Sequence, residues 1–174
     1  MYCKKFNQMA CPDARTLERV GEWWTILILR DAFAGTTRFD AFQKRLGVAP
    51  NIQSRRRAAL VEAGMLERHG YSTRPPRDED RLTPRGRDFQ TVLTALLSFG
   101  NRHFAPQGEP VLPLDANTGE PADPILADRR TGRLLVGPDY KRAPNPAATE
   151  ATNARLTPRN ARPPTTHIAK DCRA

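Results

Sequence analysis

A mainly α fold with a small β-wing, that is, a winged helix-turn-helix with a Pro-rich C-terminal extension, is predicted by three features of the sequence. The first is residues 38–64, RFDAFQKRLGVAPNIQSRRRAALVEAG, which read as two short helices around a tight turn. The second is residues 65–83, where two weakly β-prone segments flank a loop of Gly, Ser, Pro and Arg. The third is a change of composition after residue 104. Residues 1–104 hold 18 Lys/Arg, 11 Asp/Glu and 5 prolines, whereas residues 105–174 hold 10, 8 and 11. A basic folded part followed by an extended tail explains that shift.

Taken in order, residues 1–10 read as an irregular arm. Cys11-Pro12-Asp13 starts a helix, with Pro12 at the first helical position and Asp13 complementing the positive helix end. Ala14, Leu17 and Val20 follow at helical spacing. Residues 22–33 are apolar nearly all round, Trp23 and Trp24 included, and should be the buried spine. Gly35-Thr36-Thr37 breaks that helix, and residues 37–39 read as a brief strand. Asp40-x-x-Gln43 has the pattern of a capping box. Gly47 suits the left-handed conformation past a helix end, and Pro50 opens the next helix. That second helix carries Asn51, Gln53, Ser54, Arg55, Arg56 and Arg57, and Gly64 stops it.

Residues 65–69 and 81–83 are then expected to pair as strands around a basic loop at 70–77, forming the wing. Thr83-Pro84 caps and opens a long last helix. Its Phe89, Val92, Leu93, Leu96, Leu97, Gly100 and Phe104 make an apolar stripe that the wing and three short helices cannot cover. A partner subunit is the expected cover. The domain limits are thus 1–10, 11–104 and 105–174, with a small hairpin at 125–136 and disorder after 138.

The net charge of +9 and pI near 10.2 favour a polyanionic partner, with double-stranded DNA the commonest. Cys3, Cys11 and Cys172 form no CxxC pair and have no His-x-x-x-His beside them, so no zinc site or disulfide framework is indicated. A sparse, odd cysteine set suits a reducing cytoplasm. The longest apolar run, residues 23–29, is too short to span a membrane, and nothing near the N-terminus resembles a signal peptide. No histidine is placed to activate Cys11 and no Gly-rich phosphate loop occurs, which argues against an enzyme. No cofactor is expected.

Successive helical residues turn by 100°, so Gln53, Arg57 and Leu60 share one face, and Asn51, Ser54 and Arg55 fall on or beside the other. Arg can address guanine and Asn adenine through paired hydrogen bonds. Arg56 sits at the edge, suited either to DNA or to an ion pair bracing the turn. Arg38 is a phosphate candidate, and Arg74 and Arg77 could reach phosphates or the minor groove. Cys11, at a helix N-cap, is either a stabilised thiolate suited to redox sensing or an inert packing residue at a subunit interface. His69, His103 and His167 are isolated. Trp23 and Trp24 read as core.

The ordered set resembles the HxlR family of bacterial winged helix-turn-helix regulators. It comprises Cys11-Pro12, Trp24-Thr25-Ile26-Leu27-Ile28-Leu29-Arg30-Asp31, Arg38-Phe39, and Asn51-Ile52-x-Ser54-x-Arg56. It continues with Leu60-x-x-Ala63-Gly64-Met65-Leu66-Glu67-Arg68, Arg74-Pro75-Pro76-Arg77-x-Glu79 and Leu82-Thr83-x-x-Gly86-Arg87. The resemblance covers residues 11–104. It implies a homodimeric transcription factor that dimerises through its first and last helices and contacts DNA through the second helix of the motif and the wing. It also implies that oxidants or electrophiles can be sensed at the cysteine that Cys11 matches.

Three positions depart from the family pattern: Gln53 and Arg57 stand where leucine-like residues are usual, and Asp80 where an aromatic one is. A buried unpaired Arg is strongly destabilising. Either Arg57 reaches the surface along its apolar stem, or the motif is re-angled, or the domain is marginally stable. The sequence thus predicts a DNA-binding regulator acting on a near-palindromic operator and responsive to an oxidant or small molecule. The alternative is a protein-interaction adaptor built on a winged helix that no longer reads DNA.

Overall fold

In the computed structural model, which describes residues 11–156, helix α1 (Pro12–Val20) begins directly after its N-cap, Cys11. Helix α2 (Trp23–Phe33) follows after Gly21 and Glu22 and carries Ile28 and Leu29 into the core at 0% exposure. Trp23, expected in that core, is instead 75% exposed. The reason is angular. Thr25, Ile28 and Leu29 share one face of α2, and at 100° per residue Trp23 lies opposite them.

Helix α3 (Phe39–Leu46) starts two residues earlier than a capping box at Asp40 would require. Arg38 is its N-cap and makes no side-chain cap bond, so Asp40 acts there only through its charge in the first turn. Gly47 ends α3 at φ 62°, as expected, and Pro50 opens helix α4 (Pro50–Glu62). The strand expected at 37–39 is reduced to a single bridge between Arg38 and Glu79, backed by the Asp80 N–H donating to Thr37 O at 2.9 Å.

The wing is longer than its residue types suggest. Strands β1 (Leu66–Thr73) and β2 (Pro76–Leu82) pair antiparallel, Leu66 opposite Leu82 and Arg68 opposite Asp80, with an irregularity between Gly70 and Ser72. The expected loop at 70–77 is therefore mostly strand, closed by a turn at Arg74-Pro75, whose peptide bond is cis. Cross-strand pairing, which local propensity does not register, carries the ladder outward.

Thr83 caps the next segment as expected, its Oγ1 accepting from Gly86 N at 3.0 Å. The last helix is divided at Phe89 into α5 (Pro84–Asp88) and α6 (Gln90–Phe104). Gly86 is buried against Met65, and a Cβ there would lie 2.1 Å from the Met65 carbonyl oxygen. The core gathers Val20, Ile28, Leu29, Phe42, Leu60, Met65, Leu66 and Phe89. No residue of α6 is buried.

Beyond α6 the chain turns back along it, with Asn101 Nδ2 donating to Val111 O at 2.8 Å. Two bridges, Leu114 with Pro121 and Ala127 with Leu134, close successive tight turns. Both turns contain D-x-x-T-G, starting at Asp115 and Asp128, whose Oδ1 accepts from Asn117 N (2.7 Å) and Arg130 N (3.0 Å) respectively. The second lies in the hairpin region read from the sequence. The first carries the same motif and was not anticipated. Residues 138–156, expected to be disordered, hold helix α7 (Glu150–Leu156), and Arg142 forms an ion pair with Asp13 at the start of α1. The expected irregular arm at 1–10, with Cys3, and the tail at 157–174, with His167 and Cys172, lie outside the described residues.

Candidate nucleic-acid interface

Pro50 fixes the start of α4 and Gly47 the turn before it, and together they present one side of α4 outward. Asn51, Ser54 and Arg55 are exposed on that side, while Gln53, Arg57 and Leu60 are 0%, 7% and 0% exposed on the other. The division of faces matches the angular argument from sequence. Asn51 Oδ1 accepts from the neighbouring Ile52 N–H, leaving its amide nitrogen outward.

Arg56 takes the structural option. Its guanidinium pairs with Glu22 at 2.7 Å and is largely withdrawn from solvent, tying α4 to the N-cap of α2. Arg38 is exposed and stacks over the ring of Tyr71, 4.6 Å from its centroid, so the start of α3 leans on the wing. Arg74 lies in the turn at the wing's tip and Arg77 lies opposite Ser72, both exposed. Among the described residues, no ion pair or side-chain hydrogen bond engages Arg55, Arg74 or Arg77. Uncommitted guanidiniums on a helix face and on the adjoining hairpin form a basic surface suited to a polyanion.

Two of the positions that depart from the expected family pattern, Arg57 and Asp80, form one buried pair, and the third, Gln53, is buried on the same face of α4. Arg57 Nε donates to Asp80 Oδ2 at 2.5 Å, with Asp80 1% exposed. The guanidinium also faces the rings of Phe39 and Phe42 at 5.0 and 5.8 Å. Gln53 Nε2 donates to Phe39 O at 2.7 Å. Arg57 therefore neither reaches the surface nor stands unpaired, and α4 keeps its expected orientation. At the root of the wing Glu79 accepts from Thr37 Oγ1 at 3.0 Å and pairs with Arg81 at 2.6 Å. Arg81 first, then Thr37, holds the Glu79 carboxyl below the ordinary glutamate range.

Cys11 is 7% exposed and makes no side-chain cap bond. Its thiol is nevertheless held below the usual cysteine value, first by the Ala14 N–H at the helix start and then by the Arg155 side chain from α7. Sequence reasoning placed Cys11 at the N-cap but did not bring α7 beside it. Arg155, distant in sequence, left no local signal. Tyr71 and Glu22 were likewise missed as partners of Arg38 and Arg56. Asp80 was visible only as an oddity, although its charge opposite to Arg57 within one predicted core was a usable clue.

Comparison with known proteins follows the same lines. Residues 19–108 match the family described as HxlR-like helix-turn-helix. The HTH-type transcriptional regulator Mb3122 of Mycobacterium bovis is 38% identical over 133 residues, covering 76% of this chain and 84% of that protein. PA1374 of Pseudomonas aeruginosa, assigned as a transcription factor, is 47% identical in structural alignment, with TM-score 0.60 over 84% of this chain and all of that one. PA1607, assigned in the same way, is 34% identical, with TM-score 0.73 over 82% of this chain and all of that one. Each of these matches is longer than residues 1–104, so similarity continues into the extension.

Proposed function

The chain belongs to the HxlR-like helix-turn-helix family, and from that premise we propose that it binds a near-palindromic operator as a homodimer. It is a transcriptional regulator of the helix-turn-helix class and not an enzyme. The observation that carries the finer reading is the uncommitted set Arg55, Arg74 and Arg77, with Asn51 and Ser54 beside it, on the two elements that a winged helix offers to DNA. In this reading Asn51, Ser54 and Arg55 address bases and phosphates in the major groove. Arg74, Arg77 and Arg38 address the backbone or minor groove beside it. Arg56, committed to Glu22, braces α4 instead.

Dimerisation through α1 and α6 belongs to the same proposal. Leu17 on α1 and Val92, Leu96 and Phe99 along one side of α6 are exposed at 57%, 44%, 47% and 55%, an apolar stripe that a second subunit would cover. A cytoplasmic location fits this role; among the described residues no helix is long and apolar enough to cross a membrane. Response to an oxidant or small molecule is assigned to Cys11, whose thiol is biased toward the thiolate. Against the adaptor alternative, Arg57 and Asp80, two of the three positions that motivate it, compensate each other inside the core.

The test is fluorescence anisotropy with the DNA upstream of the protein's own coding sequence and a scrambled control, over a salt series. Preference for the upstream duplex with a steep salt dependence is the expected result. Absence of binding to any duplex at low salt would reinstate the adaptor. Charge reversal at Arg55 should abolish the preference and leave the dimer intact.

A further inference from the structure

The polar network around Arg57 joins three elements at one point, and its place in the fold goes beyond stability. Arg57 lies on α4, Asp80 on β2, and the rings that flank the guanidinium on α3. Asp80's other carboxylate oxygen faces Arg68, its cross-strand neighbour, at 4.0 Å. Outward of Asp80 the hairpin has no buried residue, since positions 67–79 are all exposed or half-buried. Asp80 is thus the outermost buried anchor of the wing, and it is fastened to α4 itself.

Filling space does not require charge here. Well-packed apolar side chains commonly replace a buried ion pair without loss of stability, and often with a gain. What they do not supply is direction. A guanidinium–carboxylate bond is restricted in distance and angle, so, beside the Asp80 N–H bond to Thr37 O that ties β2 to the start of α3, it fixes β2 to α4 in direction. That direction in turn sets the span between Asn51, Ser54 and Arg55 on α4 and Arg74 and Arg77 on the wing.

We propose that Arg57 and Asp80 are positioning residues for DNA recognition, a directional clamp that holds the wing at a fixed reach from α4. The clamp lets the protein discriminate among duplexes by the shape of the backbone beside the bases it reads. It rests on the DNA-reading assignment above and adds a specificity device to it.

The test compares wild type with R57L/D80F, which replaces the buried pair with a leucine and an aromatic residue, the types the resemblance implies at these two positions. Each is also combined with Arg77→Ala and titrated with duplexes that wild type selects from a randomised pool and with a scrambled duplex. Thermal unfolding is followed in parallel as the structural control. R57L/D80F should unfold no earlier than wild type yet lose about tenfold of its preference for selected over scrambled DNA. Arg77→Ala should weaken wild type by about fivefold and the double variant by less than about twofold, because an unclamped wing no longer delivers its arginine in register. An unchanged preference and an unchanged effect of Arg77→Ala would overturn the clamp. Should R57L/D80F fail to fold, R57M/D80L, which likewise replaces the pair with apolar side chains that cannot hydrogen-bond, carries the same expectation. Wild-type protein that selected no duplex would overturn DNA reading itself, and the clamp with it.

Discussion

Single residues decide how the buried charge of this domain is tolerated. Asp80→Leu would leave the Arg57 guanidinium buried with its remaining neighbours aromatic, and removal of one partner from a buried pair costs about 3–5 kcal/mol. Urea unfolding of Asp80→Leu should show that loss, whereas R57L/D80F should come close to wild type. If both variants lose equally, volume and not charge governs the site. Cys11 offers a second check at this scale. The Ala14 N–H and Arg155 lower its pKa, so a larger fraction of the thiol is ionised near neutral pH than for a free cysteine. Arg155→Ala removes one cause, and the midpoint of the alkylation rate against pH should move upward. A midpoint that stays in place would leave the helix start as the sole cause. The pairing of residue 57 with residue 80 had no local signature, because a contact across 23 positions leaves no periodicity to read.

At the scale of elements, the root of the wing is held, beside Asp80, by a close approach at Gly86 and by the Glu79 carboxylate. Gly86 faces the Met65 carbonyl, so Gly86→Ala forces backbone to move and should cost about 1–3 kcal/mol in denaturant unfolding. Glu79 gives the wing a dependence on pH. A carboxyl whose pKa is lowered on folding contributes stability above the ordinary glutamate range, and that contribution disappears as pH falls through the lowered native value. Protection of the β2 amides, measured against their intrinsic exchange rate at each pH, should therefore fall in acid, and Glu79→Gln should flatten that dependence. Helix starts and stops were legible in the sequence because they are local chemistry: Pro12, Gly47, Pro50 and the Thr83-Pro84 pair each act on their own neighbours. The length of the wing was not, because β1 and β2 extend by pairing across the hairpin and not by burying side chains. Trp23 misled for a related reason. An apolar residue on an apolar helix carries no mark of which face meets the core, and the side that exposes Trp23 is fixed by how α2 packs.

At the scale of the whole molecule, the described residues present a basic surface on α4 and the wing and, separately, an apolar one on α6. The stripe on the last helix was legible from its spacing, but the folding of the extension along α6 and across to Asp13 was not, since its contacts are few and distant in sequence. The extension occupies the side of α6 that carries Thr91, Thr94 and Ala95, which line a cavity with Ile125 and Leu126. Val92, Leu96 and Phe99 stay exposed on the helix beside it. A symmetric interface uses each such residue twice, and burial of a large apolar side chain stabilises by about 1.5–3 kcal/mol. Leu96→Glu should therefore weaken a dimer by several kcal/mol while leaving the subunit folded, since Leu96 is 47% exposed and outside the core. Sedimentation should then report monomers with unchanged circular dichroism. A monomer still presents Asn51, Ser54 and Arg55, so it should bind one half-site weakly and gain nothing from the second. Wild type should bind two half-sites one helical turn apart far more tightly than one, and lose that gain when half a turn is inserted between them. If Leu96→Glu remains dimeric and keeps the spacing dependence, the subunits meet elsewhere and the apolar face of α6 serves another contact.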